Sequence, residues 1–227
     1  MRATTLKAII AIFGVFATQQ VHPQGAFVNL DFEQAIAPLV PGAGGKVPIA
    51  RGLPGWAGYL GGGPVSVVLY DDRPLDAAGI AVEDRLAPSQ QIQPLQGNYS
   101  VWLIGSSDLP EQQQSAALAQ VGQIPADAKS SHFLFSTTYL PEVTFAGQAI
   151  PLVELGANAS YLTVGGDVSL FAGDTGELRF TFPPESGAAG VLDSIEFSPV
   201  AIPEPTAMIL SLLGVLVVGW RVRGSVL

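Results

Sequence analysis

Gly and Pro constrain this chain more than any other residues. There are 26 Gly and 18 Pro, and between residues 27 and 199 they cut the apolar sequence into short runs. Segment 27–32 alternates, with Val28, Leu30 and Phe32 on one side. Segment 65–70 is rich in β-branched residues, and 98–104 is apolar on both faces, as a central strand requires. Further runs lie at 130–139, 143–145, 149–155 and 161–164. In 177–182 Leu178, Phe180 and Phe182 face one way, and 191–197 closes the series. Short strands at regular spacing with turn signals between them predict an all-β antiparallel sandwich. Segments 41–45 and 61–64 read as Gly-rich loops without the strand–helix context of a phosphate cradle. Segment 109–121 stays open: Pro110 and the Gln/Ala-rich run after it suit a helix, while 115–121 also suits a strand.

Charge excludes several functions. Apolar residues make up 48% of the chain and charged residues 13%, too few charges for the outer faces of a helical bundle and too much apolar surface for a disordered tail. The net charge is −9. Arg2 and Lys7 lie at one end and Arg221 and Arg223 at the other, so 27–203 holds six basic against eighteen acidic residues, a net of −12. Such a body repels nucleic acid and anionic membrane surfaces. With no cysteine there is no disulfide, thiolate metal site or Cys nucleophile. Only His22 and His132 could serve a triad. His132 precedes Phe133 on an expected strand, nothing like Gly-x-Ser-x-Gly accompanies it, and it reads as a strand histidine. The body is therefore read as non-catalytic. The enzymatic alternative is a two-carboxylate hydrolase acting on polysaccharide, for which no spacing selects a pair.

The two ends carry transport signals. Arg2 and Lys7 precede ten apolar or small residues, 8–17, and Val15-Phe16-Ala17 suits cleavage. This is the pattern of a secretory signal peptide and leader, placed at 1–26. At the other end 207–220 is apolar or small, is closed by Trp220 and is followed by Arg221 and Arg223. Fourteen helical residues span roughly 21 Å, short of the ~30 Å hydrocarbon core. The terminal position, the interfacial Trp220 and the two arginines nevertheless favour a transmembrane helix with its tip inside and the acidic body outside.

Pro203-Glu204-Pro205, the short apolar helix and the basic tip together resemble the PEP-CTERM sorting signal of Gram-negative bacteria. The resemblance covers 200–227. It implies an inner-membrane intermediate, processing by an exosortase near Pro203-Glu204-Pro205, and delivery to the cell surface or extracellular matrix. The body, 27–199, resembles galactose-binding-like jelly rolls and carbohydrate-binding modules. Asn29-Leu30-Asp31-Phe32-Glu33, Leu53-Pro54-Gly55-Trp56, and segments 119–129, 166–180 and 192–197 carry that likeness. It implies a strand at Leu118 and a non-catalytic, polysaccharide-binding role. The second alternative to that role is a purely structural matrix protein. The likeness also implies a structural calcium ion shared by Asp31, Glu33 and Asp193, with Ser194 where the family has a second Asp.

Several other residues have two readings. Trp56, Tyr59, Tyr70, Tyr99 and Trp102 could stack on a sugar ring. Trp102 sits among Val101, Leu103 and Ile104 and reads as core, and Trp56 reads equally as a loop plug; Trp56 and Tyr59 are the ligand-binding candidates. Asp71-Asp72-Arg73-Pro74 reads as a solvated turn with a local ion pair. Asn98-Tyr99-Ser100 and Asn158-Ala159-Ser160 match the N-glycosylation pattern, which means little in a bacterium.

Overall fold

The computed structural model describes residues 26–36, 45–72, 77–87, 93–106, 114–137, 139–184 and 189–202. The signal-peptide segment, Pro203, Glu204, Pro205, Trp220, Arg221 and Arg223 lie outside the described residues. Among those described, no helix is long and apolar enough to cross a membrane.

Among the described residues fourteen strands form two sheets. They are β1 (Lys46–Pro48), β2 (Ala57–Leu60), β3 (Gly63–Val65), β4 (Val67–Tyr70), β5 (Gly79–Asp84), β6 (Tyr99–Ile104) and β7 (Ala116–Gln123). Then come β8 (Ser130–Phe135), β9 (Glu142–Phe145), β10 (Gln148–Ala149), β11 (Val153–Ala157), β12 (Leu162–Asp167), β13 (Thr175–Phe182) and β14 (Ala189–Ser198). One four-residue helix, α1 (Ile49–Gly52), follows β1. The larger sheet runs β1-β4-β5-β6-β14-β8-β12-β11 and the smaller β10-β9-β13-β7-β2-β3. All pairings are antiparallel except β4 with β5. From β6 onward the chain repeatedly changes sheet, as at β6–β7, β7–β8, β8–β9, β12–β13 and β13–β14, while β9–β10 and β11–β12 are neighbours within one sheet. The molecule is an antiparallel β-sandwich.

The core follows from alternation. Leu178, Phe180 and Phe182 of β13 are at most 1% exposed, as their spacing predicts. Phe180 meets Phe133 edge to face at 5.3 Å and Phe182 meets Phe135 at 5.9 Å, which joins the two sheets. Burying each of these rings contributes about 1.5–3 kcal/mol. Strand β6, flanked by β5 and β14, is buried on both faces. Val101 and Leu103 enter the main core. Trp102 points the other way and forms a second, small apolar cluster with Ala81 and Val191.

Four expectations are corrected. Segment 27–32 is not a strand: Ala26 makes one bridge to Gln123, and the chain then turns, with Asn29 at φ 52° and Phe32 at φ 58°. Phe32 is fully buried while Val28 is 47% exposed. The helix reading of 109–121 fails for its described part, because Ala116–Gln123 is strand β7. The single run expected at 65–70 is divided by Ser66 between β3 and β4. Asp71 is buried rather than solvated, since its backbone N–H bonds Val82 O and draws the turn onto β5.

Candidate functional site

The opening motif builds architecture. The Asn29 side chain donates to Pro54 O at 3.1 Å and accepts from Gln34 N at 2.9 Å. The Asn29 backbone carbonyl accepts from Trp56 Nε1 at 2.9 Å. The Gln120 amide, 6% exposed, holds both Val28 N and Val28 O, at 2.6 and 3.0 Å. It thus replaces a missing strand neighbour. Trp56 is 5% exposed and packs on Phe32 and Phe180. The ligand-binding reading of Trp56 is therefore corrected: its ring plugs the core and its one donor is used. Tyr59 is half-buried, and the Arg179 guanidinium lies 4.2 Å from its ring centroid. The guanidinium thus covers one face of the Tyr59 ring.

Among the described residues no three His, Cys, Asp or Glu side chains form a metal-holding group, so the structure does not gather Asp31, Glu33 and Asp193 as a calcium site. Their oxygens face hydrogen-bond donors instead. Asp31 Oδ1 accepts from Glu33 N at 3.3 Å. Glu33 accepts from Asn98 N at 2.7 Å, Tyr99 N at 2.9 Å and Asn98 Nδ2 at 3.1 Å. Asp193 accepts from Ser100 Oγ at 2.6 Å, Gln96 N at 2.9 Å and Ser194 N at 2.7 Å.

These bonds converge on one loop, residues 93–98, which has no regular secondary structure. Asp193 and Glu33 hold it from two distant segments. Ser100 Oγ accepts from Leu95 N at 2.9 Å, and Ser194 Oγ bonds Gln96 Oε1 at 2.7 Å. Arg85 Nε donates to Gly97 O at 2.6 Å, and its Nη2 reaches toward Pro94 O at 3.4 Å. Gly97 has φ 58° and lies against the Glu33 carboxylate, so a Cβ there would be both strained and obstructed. Burial pushes the Asp193 carboxyl up to about 6, against the pull of its donors, and nearby Glu33 adds to the rise. The Tyr99 hydroxyl is pushed up by burial, then by Asp84 and Glu33. The Tyr70 hydroxyl, also lifted mainly by burial, donates to Asp84 Oδ2 at 2.8 Å. Tyr70 and Tyr99 pack against the main core.

The fixed loop walls a depression of about 400 Å³ on the outer face of the larger sheet. Trp102 and Val191, opposite each other in register, lie beneath it. Gln93, Pro94 and Leu95 form one wall, and Ser160 and Tyr161 another. Tyr161 is presented by an Asx turn: Asn158 Oδ1 accepts from Ser160 N at 2.7 Å and Tyr161 N at 2.9 Å. A larger depression, about 690 Å³, lies elsewhere between Tyr139, Leu140, Pro141, Pro183 and Pro184. Sequence reading missed Arg85, Gln93 and Tyr161. The available signal was the Asx turn ending in an aromatic residue, which first registers as a glycosylation pattern.

Glu83 and Asp193 are each 1% exposed, beyond reach of a substrate. His132 Nε2 lies 3.1 Å from Glu196 Oε2 on the neighbouring strand, as a strand histidine would.

No known protein family and no curated protein matches the chain. Among solved structures, it is similar to a Stig cyclase, Fisc, from Fischerella sp. TAU in complex with (3Z)-3-(1-methyl-2-pyrrolidinylidene)-3H-indole. That likeness has 13% identity and a TM-score of 0.44, over 74% of this chain and 93% of that one. It is also similar to a family 11 carbohydrate-binding module from Clostridium thermocellum in complex with a β-1,3-1,4-mixed-linked tetrasaccharide. There the identity is 11% and the TM-score 0.38, over 70% of this chain and 96% of that one. Likeness at this level carries no argument about ligand or activity.

Proposed function

We propose that this is an exported, non-catalytic protein of the cell surface or extracellular matrix, sorted by an exosortase through Pro203-Glu204-Pro205, with a jelly-roll-like body that binds polysaccharide. The observation that carries the sorting reading is the order of signals along the chain. A leader opens it, a β-sandwich follows, and Pro203 comes directly after the residues that finish that sandwich. Ser130 Oγ donates to Val200 O at 2.7 Å, and Ile202 packs over Gly165. The last described strand, β14, ends at Ser198, upstream of the motif. The non-catalytic part of the reading is supported by the burial of Glu83 and Asp193 and by the absence of cysteine from the chain.

The test is truncation after Ile202 in the native host. The truncated protein is expected in the periplasm and the full chain at the surface. Mass spectrometry of the surface form is expected to lack peptides from 207–220. Recovery of such a peptide from surface protein would overturn the processing claim.

A further inference from the structure

We infer that the depression between loop 93–98 and the 158–161 turn is a saccharide subsite that takes an uncharged sugar ring against Tyr161. This rests on the polysaccharide-binding reading and names its site and ligand class. The first ground is preorganisation. Glu33 comes from the opening turn, Arg85 from the end of β5, Ser100 from β6, and Asp193 and Ser194 from β14. Together they commit their polar groups to one six-residue loop. A wall fixed this way loses little conformational freedom when a ligand arrives. The main core, with Val101 and Leu103, closes on the other face of β6.

The second ground is the chemistry of the lining. Tyr161 supplies a π face for the C–H surface of a pyranose. Gln93, Ser160 and Ser136 surround it with neutral donors and acceptors for hydroxyls. Trp102, 8% exposed, serves as floor rather than as the stacking ring. The volume, about 400 Å³, is at the small end of ligand sites, which suits one or two rings of a longer chain. The third ground is charge. Arg85 is the cation lining the depression, and its fork already points to the Gly97 and Pro94 carbonyls. With a body net of −12 between 27 and 203, a polyanionic glycan is disfavoured.

The experiment uses the full-length chain in mild detergent, with soluble dextran, galactomannan, xylan and polygalacturonate as probes in affinity electrophoresis. Wild type is expected to be retarded by at least one neutral polymer and not by polygalacturonate. Tyr161→Ala should weaken that retardation at least tenfold with an unchanged melting temperature, because the Asx turn uses the Tyr161 backbone. Tyr161→Phe should retain it, and Tyr139→Ala, at the other depression, should leave it unchanged. Retention in Tyr161→Ala with loss in Tyr139→Ala overturns this subsite and leaves polysaccharide binding standing. Preference for polygalacturonate overturns the ligand class. No retardation by any polymer overturns the polysaccharide-binding reading, and the subsite with it.

Discussion

Asp193 is a buried carboxylate whose surroundings oppose each other. Burial lifts its carboxyl from 3.8 to about 6, while Ser100, Gln96 and Ser194 donate to its charged form. Between about pH 4 and 6 the folded protein holds a proton that the unfolded chain has released, so stability falls as pH rises through that window. The full difference corresponds to about 3 kcal/mol. Asp167, held below its ordinary value by Ser169 at the start of a 3-10 turn, acts with the opposite sign and only below about pH 4, outside that window. Urea melts at pH 4, 5, 6 and 7 are expected to show the decline in wild type and its loss in Asp193→Asn. An identical slope in the variant would place the proton elsewhere. Trp56 supports the opening turn: Trp56→Phe leaves the Asn29 backbone carbonyl with only the Phe32 N–H at 3.3 Å and should cost about 0.5–1.5 kcal/mol for the lost bond, measured by the same melts at constant pH. Glycan retardation by Trp56→Phe should match wild type, since the ring lies inside the core.

At the scale of elements, β7 shows why propensity misleads. Ala116, Ala117 and Ala119 favour a helix in isolation. In place they lie in the middle of the smaller sheet, between β13 and β2. Tyr59 is opposite Ala117 and Arg179 is opposite Ala119, and the ring and guanidinium meet above these small side chains. Packing across the sheet, set by neighbours more than fifty residues away, decides the conformation. The strands at the four sheet edges carry their own protection. Strands β1 and β3 contain Pro48 and Pro64, β10 has two residues, and β11 slips register between Glu154 and Gly156. These features discourage pairing with another chain. The double variant Pro48→Thr/Pro64→Thr should therefore sediment with a steeper rise in coefficient with concentration than wild type. Equal concentration dependence would mean that other features guard the edges.

For the whole molecule, the sandwich should not need its tail for stability. Cutting after Ile202 keeps the Ser130–Val200 bond and the contact of Ile202 with Gly165. Its melting temperature should equal that of the full chain. Cutting after Ser198 removes both and should cost about 1–3 kcal/mol. If the two truncations melt together, the last four residues contribute nothing to the body.

Short apolar or alternating runs along single segments were enough to place β6, β8, β9, β12, β13 and β14, because such runs are local. The sequence was enough, too, for the buried face of Leu178, Phe180 and Phe182 and for the acidity of the body. The missed strands, β1, β2, β5 and β10, lack that signature: β5 is buried on both faces and the other three have two to four residues. Trp102 was legible as buried, but the sheet face it occupies was not, and Trp56 read equally as a loop plug and as a ligand-binding ring. The loop clamp was beyond sequence reading altogether. Glu33 is 65 residues from Asn98, and Asp193 is 97 from Gln96, and no local pattern reports a bond of that span. The motif Asn29-Leu30-Asp31-Phe32-Glu33 pointed to the right place, and only the folded chain shows which donors its Glu33 carboxylate meets on the loop 93–98 and the start of β6.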